Sequence, residues 1–245
     1  MNVLENLWNI ESPTPQVFDP FMTENLPIAA RNYITRAIAA GTPIASAVRL
    51  EMKGEIKLNN QWLPFEATQV VRNNHGFVWR AHVIRGMAGI SGYDRLIDGE
   101  GEMKWKVLGL IPVMTAHGPD ITRSTAGRMA TEYTLLPSAQ LDPKILWKEL
   151  SETSVSLRRE IAGIETDLTL EIEKSGTLKS ASLNRWGNPD GNEFQNTPFG
   201  AELSEEVTYG GYTIPTKICA GWQYGTSHFD EGEFFRAEIT SGEFK

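Results

Sequence analysis

Two sets of side chains in this 245-residue chain have the types and spacing for chemistry. In "GFVWRAHVIRG", residues 76 to 86, Arg80 and His82 are two residues apart and so share one face of an extended segment. A histidine near its ordinary pKa of about 6.5 beside a guanidinium suits acid–base work. In the second set, Ser124, Arg128 and Glu132 recur every four residues, which aligns them on one side of a helix. Such a polar stripe either faces a cavity or is a solvated surface with an Arg128–Glu132 ion pair of about 0.2–0.5 kcal/mol, and the solvated face is the simpler expectation.

Other candidates carry less. "NPDGNEF", residues 188 to 194, starts like a calcium loop but lacks a bidentate glutamate at the proper distance. The four histidines (His75, His82, His117 and His228) have no metal-ligand spacing, so no metal is expected. Cys219 is the single cysteine, which excludes an intrachain disulfide, and in "TKICAGW" it reads as a small buried hydrophobe rather than a nucleophile. No nucleophile elbow, zinc-protease motif, phosphate loop or dinucleotide fingerprint occurs, so no catalytic residue and no cofactor is assigned.

The elements that must position these groups are mostly strands. Residues 1–25 read as an irregular arm broken by Pro13, Pro15 and Pro20. A helix follows, with Pro27 in its first turn, Ile34, Ala37 and Ile38 on its apolar side, and Gly41 at its end. The period then falls to two. "VRLEMKGEIKL", "QWLPFEATQVV" and "GFVWRAHV" form successive strands, and Asp98-Gly99 turns a hairpin that sets Met103, Trp105 and Val107 on one face. On the third strand Phe77, Trp79, Ala81 and Val83 are expected inside, with Arg80 and His82 outside.

A helical stretch starts at Pro119-Asp120, with Ile121, Met129, Ala130 and Tyr133 on one side, and Pro137 stops it. "DPKILWKEL" predicts a further short helix capped by Asp142. Alternation returns from about residue 152, with a hairpin at Lys174-Ser175-Gly176 and three more strands after a long surface loop at 186–200. The expectation is a mainly β (α+β) antiparallel fold of about eleven strands, with residues 26–245 as one domain.

Composition narrows the partners. A formal charge of −8 argues against nucleic acid and against an anionic membrane surface. The opening residues have neither the basic patch nor the apolar run of a signal peptide or membrane anchor, and no window has the ~20 apolar residues of a transmembrane segment. A soluble, cytoplasmic protein is expected from these features, with no preference as to oligomeric state.

The order helix, strand meander, helices, strand meander resembles the half-barrel of the LolA-like bacterial lipoprotein carriers. The phrases "VRLEMKGEIKL…WLPFEATQ", "GFVWRAHV", "DGEGEMKWKVLGLIPV", "GRMATEY…P" and "YGGYTIPTKICAGW" are similar to those of a bacterial family whose function is unknown. The resemblance implies a strongly curved open sheet with the N-terminal helix and two middle helices packed on its concave side, over an apolar cavity. It transfers no catalytic residues. The implied partner is an apolar small molecule or lipid, with Met52, Phe77, Trp79, Trp105, Tyr133 and Trp222 as candidate lining and Arg80, His82, Arg128 and Glu132 as polar candidates. Two other readings stay open: an enzyme of unrecognised type using His82, Arg80 or Glu132, and a protein-interaction module with a filled core.

Overall fold

The computed structural model describes residues 2–12, 14, 16–86 and 88–245. Alternating sequence becomes one antiparallel sheet of thirteen strands. The first meander comprises β1 (Ala47–Leu58), β2 (Gln61–Arg72), β3 (Gly76–Val83), β4 (Ile90–Ile97), β5 (Glu100–Val107) and β6 (Ile111–His117). The second comprises β7 (Leu146–Glu149), β8 (Ser154–Ile161), β9 (Ile164–Ile172), β10 (Leu178–Gly187), β11 (Gln195–Tyr209), β12 (Tyr212–Trp222) and β13 (Glu233–Phe244). Each meander is built from local hairpins. β1 pairs with β13, so the first and last strands form the seam that joins the two halves. The helices are α1 (Val3–Trp8), α2 (Ile28–Ala37), α3 (Pro119–Glu132) and the single turn Phe229–Gly232. No helix among the described residues is long and apolar enough to cross a membrane.

The sheet curls because α3 is held from both sides. In the strand order β5 is second and β10 tenth, so a flat sheet would separate them by roughly 38 Å. α3 packs against both. Sheet twist accumulated over thirteen strands produces this wrap, and β6 and β7 remain unpaired with each other, leaving a half-barrel. Close approach to β5 needs Gly101: a side chain there would meet the Thr125 hydroxyl and the Ile121 carbonyl at 2.4 and 2.8 Å. α2 fills another part of the concavity through Tyr33, Ile34 and Ala37, all buried.

The expected parity of β3 is present. Phe77, Trp79, Ala81 and Val83 are buried, while Arg80 and His82 are exposed. Val78 departs from a simple wet outer side, being 2 % exposed. Its cover is the arm. Leu4, Leu7 and Trp8 of α1 form a second apolar cluster with Ala47, Val70 and Val78 on the convex face.

Several expectations need correction. The arm is not wholly irregular, since it contains α1 and a 3₁₀ turn at Pro20–Thr23; Pro13 and Pro15 lie outside the described residues. Among the described residues the strands number thirteen rather than about eleven, the additional two being the edge strands β6 and β7. The second middle helix is absent. Residues 133–135 and 137–141 are 3₁₀ turns, and "ILWKEL" supplies edge strand β7. Asp142 does cap a turn, accepting from the Lys144 N–H at 2.9 Å, but the turn is followed at once by β7, where Leu146–Glu149 pair with β8. The loop expected over 186–200 is shorter, because β10 runs through Gly187 and β11 starts at Gln195.

Candidate functional site

A cavity of about 320 Å³ lies in the concavity under α3. Most of its wall is apolar: Met52, Ile56 and Trp79 from the first meander, and Ala201, Leu203, Ile218, Trp222 and Phe235 from the second. These are inward positions of alternating strands, so one face of the sheet becomes the wall. The aromatic side is continuous. Trp79 meets the edge of Phe65 at 5.6 Å between ring centroids, Phe235 at 5.9 Å and Trp105 at 5.7 Å.

Charged groups enter the same space. Arg128 Nη1 donates to Asp94 Oδ2 and its Nε to Glu132 Oε1, both at 2.8 Å. Asp94 Oδ1 accepts from the Trp105 indole at 2.9 Å, and Glu132 Oε2 from the Gln69 amide at 2.6 Å. Every carboxylate oxygen of the pair therefore has a donor. The Arg128 guanidinium also lies 4.8 Å from the Phe77 ring centre and 5.2 Å from that of Trp79. Burial opposes its charge, but Glu132 and Asp94 outweigh that and raise its pKa above the usual value. Asp94 is raised by burial, with Arg128 and Trp105 pulling against the shift.

Arg185, on the inward side of β10, is held differently. Its Nε donates to the Ser124 carbonyl at 3.0 Å and its Nη2 to the Ser124 hydroxyl at 3.3 Å. Phe199 and Trp222 lie against it at 4.7 and 5.1 Å. Burial first, then the like charge of Arg128, bring its pKa down to about 9, so it stays protonated at neutral pH.

The expected lining divides into two groups. Met52, Trp79 and Trp222 border the cavity. Phe77, Trp105 and Tyr133 stand behind it: Phe77 lies under Arg128, Trp105 holds Asp94, and the Tyr133 ring carries Arg159 at 4.1 Å. Of the polar candidates, Arg128 and Glu132 reach the cavity, whereas Arg80 and His82 lie exposed on the opposite face of the sheet. His82, Arg80 and Glu132 thus do not converge. The stripe Ser124–Arg128–Glu132 is a cavity wall, not a solvated face, because the curl of the sheet encloses that side of α3.

Gln69, Asp94 and Arg185 were not anticipated. Their signal was a polar residue at an inward position of an alternating strand, as in "LNRWG", where Leu183 and Arg185 share a face. Cys219 is half-buried and donates to Glu233 Oε1 at 2.9 Å. Burial, reinforced by Glu233, pushes its thiol up to about 12, which leaves it a poor nucleophile.

No curated protein matches the chain. Among solved structures it is similar to a LolA superfamily protein from Nitrosomonas europaea, at 7 % identity and a TM-score of 0.47 over 89 % of this chain and 92 % of that one. It is also similar to a DUF1329 family protein from Desulfovibrio piger, at 9 % identity and a TM-score of 0.40 over 90 % of this chain and 94 % of that one. Residues 24–244, nearly the whole of the half-barrel, match a single family model, and the chain belongs to the family of unknown function DUF6920.

Proposed function

We propose that the protein binds an apolar or lipid-like small molecule in the concavity of its sheet and does not transform it. The observation that carries this reading is the cavity of about 320 Å³ with its mainly apolar wall. Ligand cavities run from about 300 to 1,000 Å³ and combine apolar walls with a few placed polar groups. The arrangement of the carboxylates favours binding over turnover. Asp94 and Glu132 are turned toward Arg128, Trp105 and Gln69, which suits a fixed wall better than a base aimed at a substrate.

The test is titration with a dansyl-labelled single-chain lipid, followed through quenching of tryptophan emission. Saturable one-site binding is expected, weakened at least fivefold by Trp222→Ala, whose ring forms part of the wall. Absence of saturable binding by single-chain lipids of any head group would overturn the reading.

A further inference from the structure

The cavity holds a cation that no carboxylate of the described residues touches. Arg128 is bracketed by two carboxylates, whereas Arg185 forms no ion pair among the described residues. A guanidinium offers five N–H donors in a planar fork. Only Nε and one Nη2 donor of Arg185 are engaged, both by Ser124, and Nη1 donates to nothing among the described residues. Moving the side chain away is difficult. Phe199 and Trp222 flank the guanidinium, and Gly127 of α3 leaves so little room that a side chain there would meet Arg185 Cγ at 3.0 Å.

Position adds a second argument. Arg185 and Phe199 border both the apolar cavity and a broader, open groove of about 840 Å³ along β7–β11. The guanidinium therefore stands where the apolar cavity meets the groove. Trp79, on the far wall, also keeps its indole N–H buried without an acceptor. Buried donors without acceptors are uncommon and ask for a partner. Asp94 and Glu132 act on Arg185 only at a distance, their direct contacts being with Arg128, Trp105 and Gln69.

We propose that the ligand is a single-chain anionic amphiphile, whose carboxylate or phosphate pairs with Arg185 while its hydrocarbon part occupies the apolar wall of the cavity. This rests on the binding reading above and names the chemical class of its ligand. The planar fork suits either anion, because both present two oxygens to parallel N–H groups. A cavity at the small end of the usual range suits one chain.

Three probes with the same chain separate the possibilities: dodecanoate, dodecyl phosphate and dodecanol, each titrated by calorimetry below its micellar concentration. At least one anion should bind about tenfold tighter than the alcohol, and the stronger of the two identifies the head group. In Arg185→Met that preference should vanish while dodecanol affinity is kept, and Arg185→Lys should restore part of it. The comparison within the unaltered protein stands even if the Met variant does not fold. Dodecanol binding as tightly as both anions would overturn this inference and leave the apolar-binding reading intact. Failure of all three probes to bind would overturn both.

Discussion

Arg72 and Arg185 are two guanidiniums with no carboxylate in contact, one on each face of the same sheet, the first buried and the second half-buried. On the convex side, Arg72 is covered by the chain's own arm. It donates to the Trp8 and Glu11 carbonyls at 3.4 and 3.2 Å and to the Ser12 hydroxyl at 2.9 Å. Trp8 is the last residue of α1, where carbonyls carry the negative end of the helix dipole, and Lys245 donates to the same oxygen at 3.3 Å. On the concave side, Arg185 has only Ser124, and its remaining donors border a cavity. The outer cation is completed by folding. The inner one has Ser124 as its one hydrogen-bond partner among the described residues.

This contrast is broken or sharpened first at Arg128, the inner cation that the protein does complete. Arg128→Met leaves Asp94 and Glu132 buried without their counter-charge, so a loss of about 3–5 kcal/mol is expected by urea denaturation. Replacing all three residues by apolar ones of matching volume should recover most of that loss, because the desolvation of the acids disappears with them. A single Arg128→Met that unfolds no more easily than the unaltered protein would show that the network is not closed as described.

The second test compares the two arginines directly. Arg72→Met strands the Glu11 carbonyl, leaves that of Trp8 to Lys245 alone and loosens the arm over Val70 and Val78, at a cost of about 1–3 kcal/mol. Arg185→Met should cost less, about 1 kcal/mol or below, because it removes two hydrogen bonds but also relieves an unpaired charge. Equal costs would mean that Arg185 is as structural as Arg72, and the inner face would lose its distinction.

The two arginines also mark what the sequence makes legible. Strand β3 was readable because Phe77, Trp79, Ala81 and Val83 alternate with polar residues, and burial of that set fixes its register. The strand β6, "IPVMTAH", hides the same signal: Ile111, Val113 and Met114 are exposed, and an edge strand need not alternate. Strand β7 has four residues, too few to show a period, and follows an Asp142-Pro143 pair that mimics a helix start. α1 is only six residues long, so its apolar face could be recognised only against Val70 and Val78, far along the chain. Trp79, Met52 and Trp222 were legible as inward residues, but the gap between them is a property of how the two halves curl around α3. Arg185 was missed because alternation assigns a side and says nothing of which charges meet there.

A smaller effect, on both faces together, is expected in alkali. On the convex side the Cys219 thiol, raised to about 12, keeps its proton in the folded protein, whereas a free thiol loses it near pH 8.5. On the concave side burial raises the Tyr33 hydroxyl, with Glu206 adding to the shift. In both cases the unfolded chain releases a proton that the folded chain holds. Their stabilisation is therefore complete below about pH 8.5 and declines as pH rises toward the folded values. The urea midpoint should fall steadily above about pH 9. Cys219→Ser should flatten the early part of that fall, and an unchanged slope would remove the outer contribution.

The smallest effect concerns His82, the residue whose type most invited a catalytic role. It lies exposed on the convex face, with Nδ1 2.8 Å from the Ser91 hydroxyl. Its ring packs so closely over Gly89 that a side chain there would meet it at 2.2 Å. The wall that Trp222 forms is on the other side of the sheet. His82→Ala should therefore leave lipid-probe affinity within twofold and stability within about 0.5 kcal/mol, as is usual for exposed positions. Trp222→Ala, measured beside it, should lose affinity. The reverse result would move the ligand to the convex face, where a groove of about 630 Å³ runs between α1 and the strands, past Arg80, Ser91 and Lys104. That groove carries Arg80, Lys104 and Lys106, so an anion bound there would owe nothing to the apolar cavity. The pair of variants thus decides which face of the sheet carries the proposed binding site.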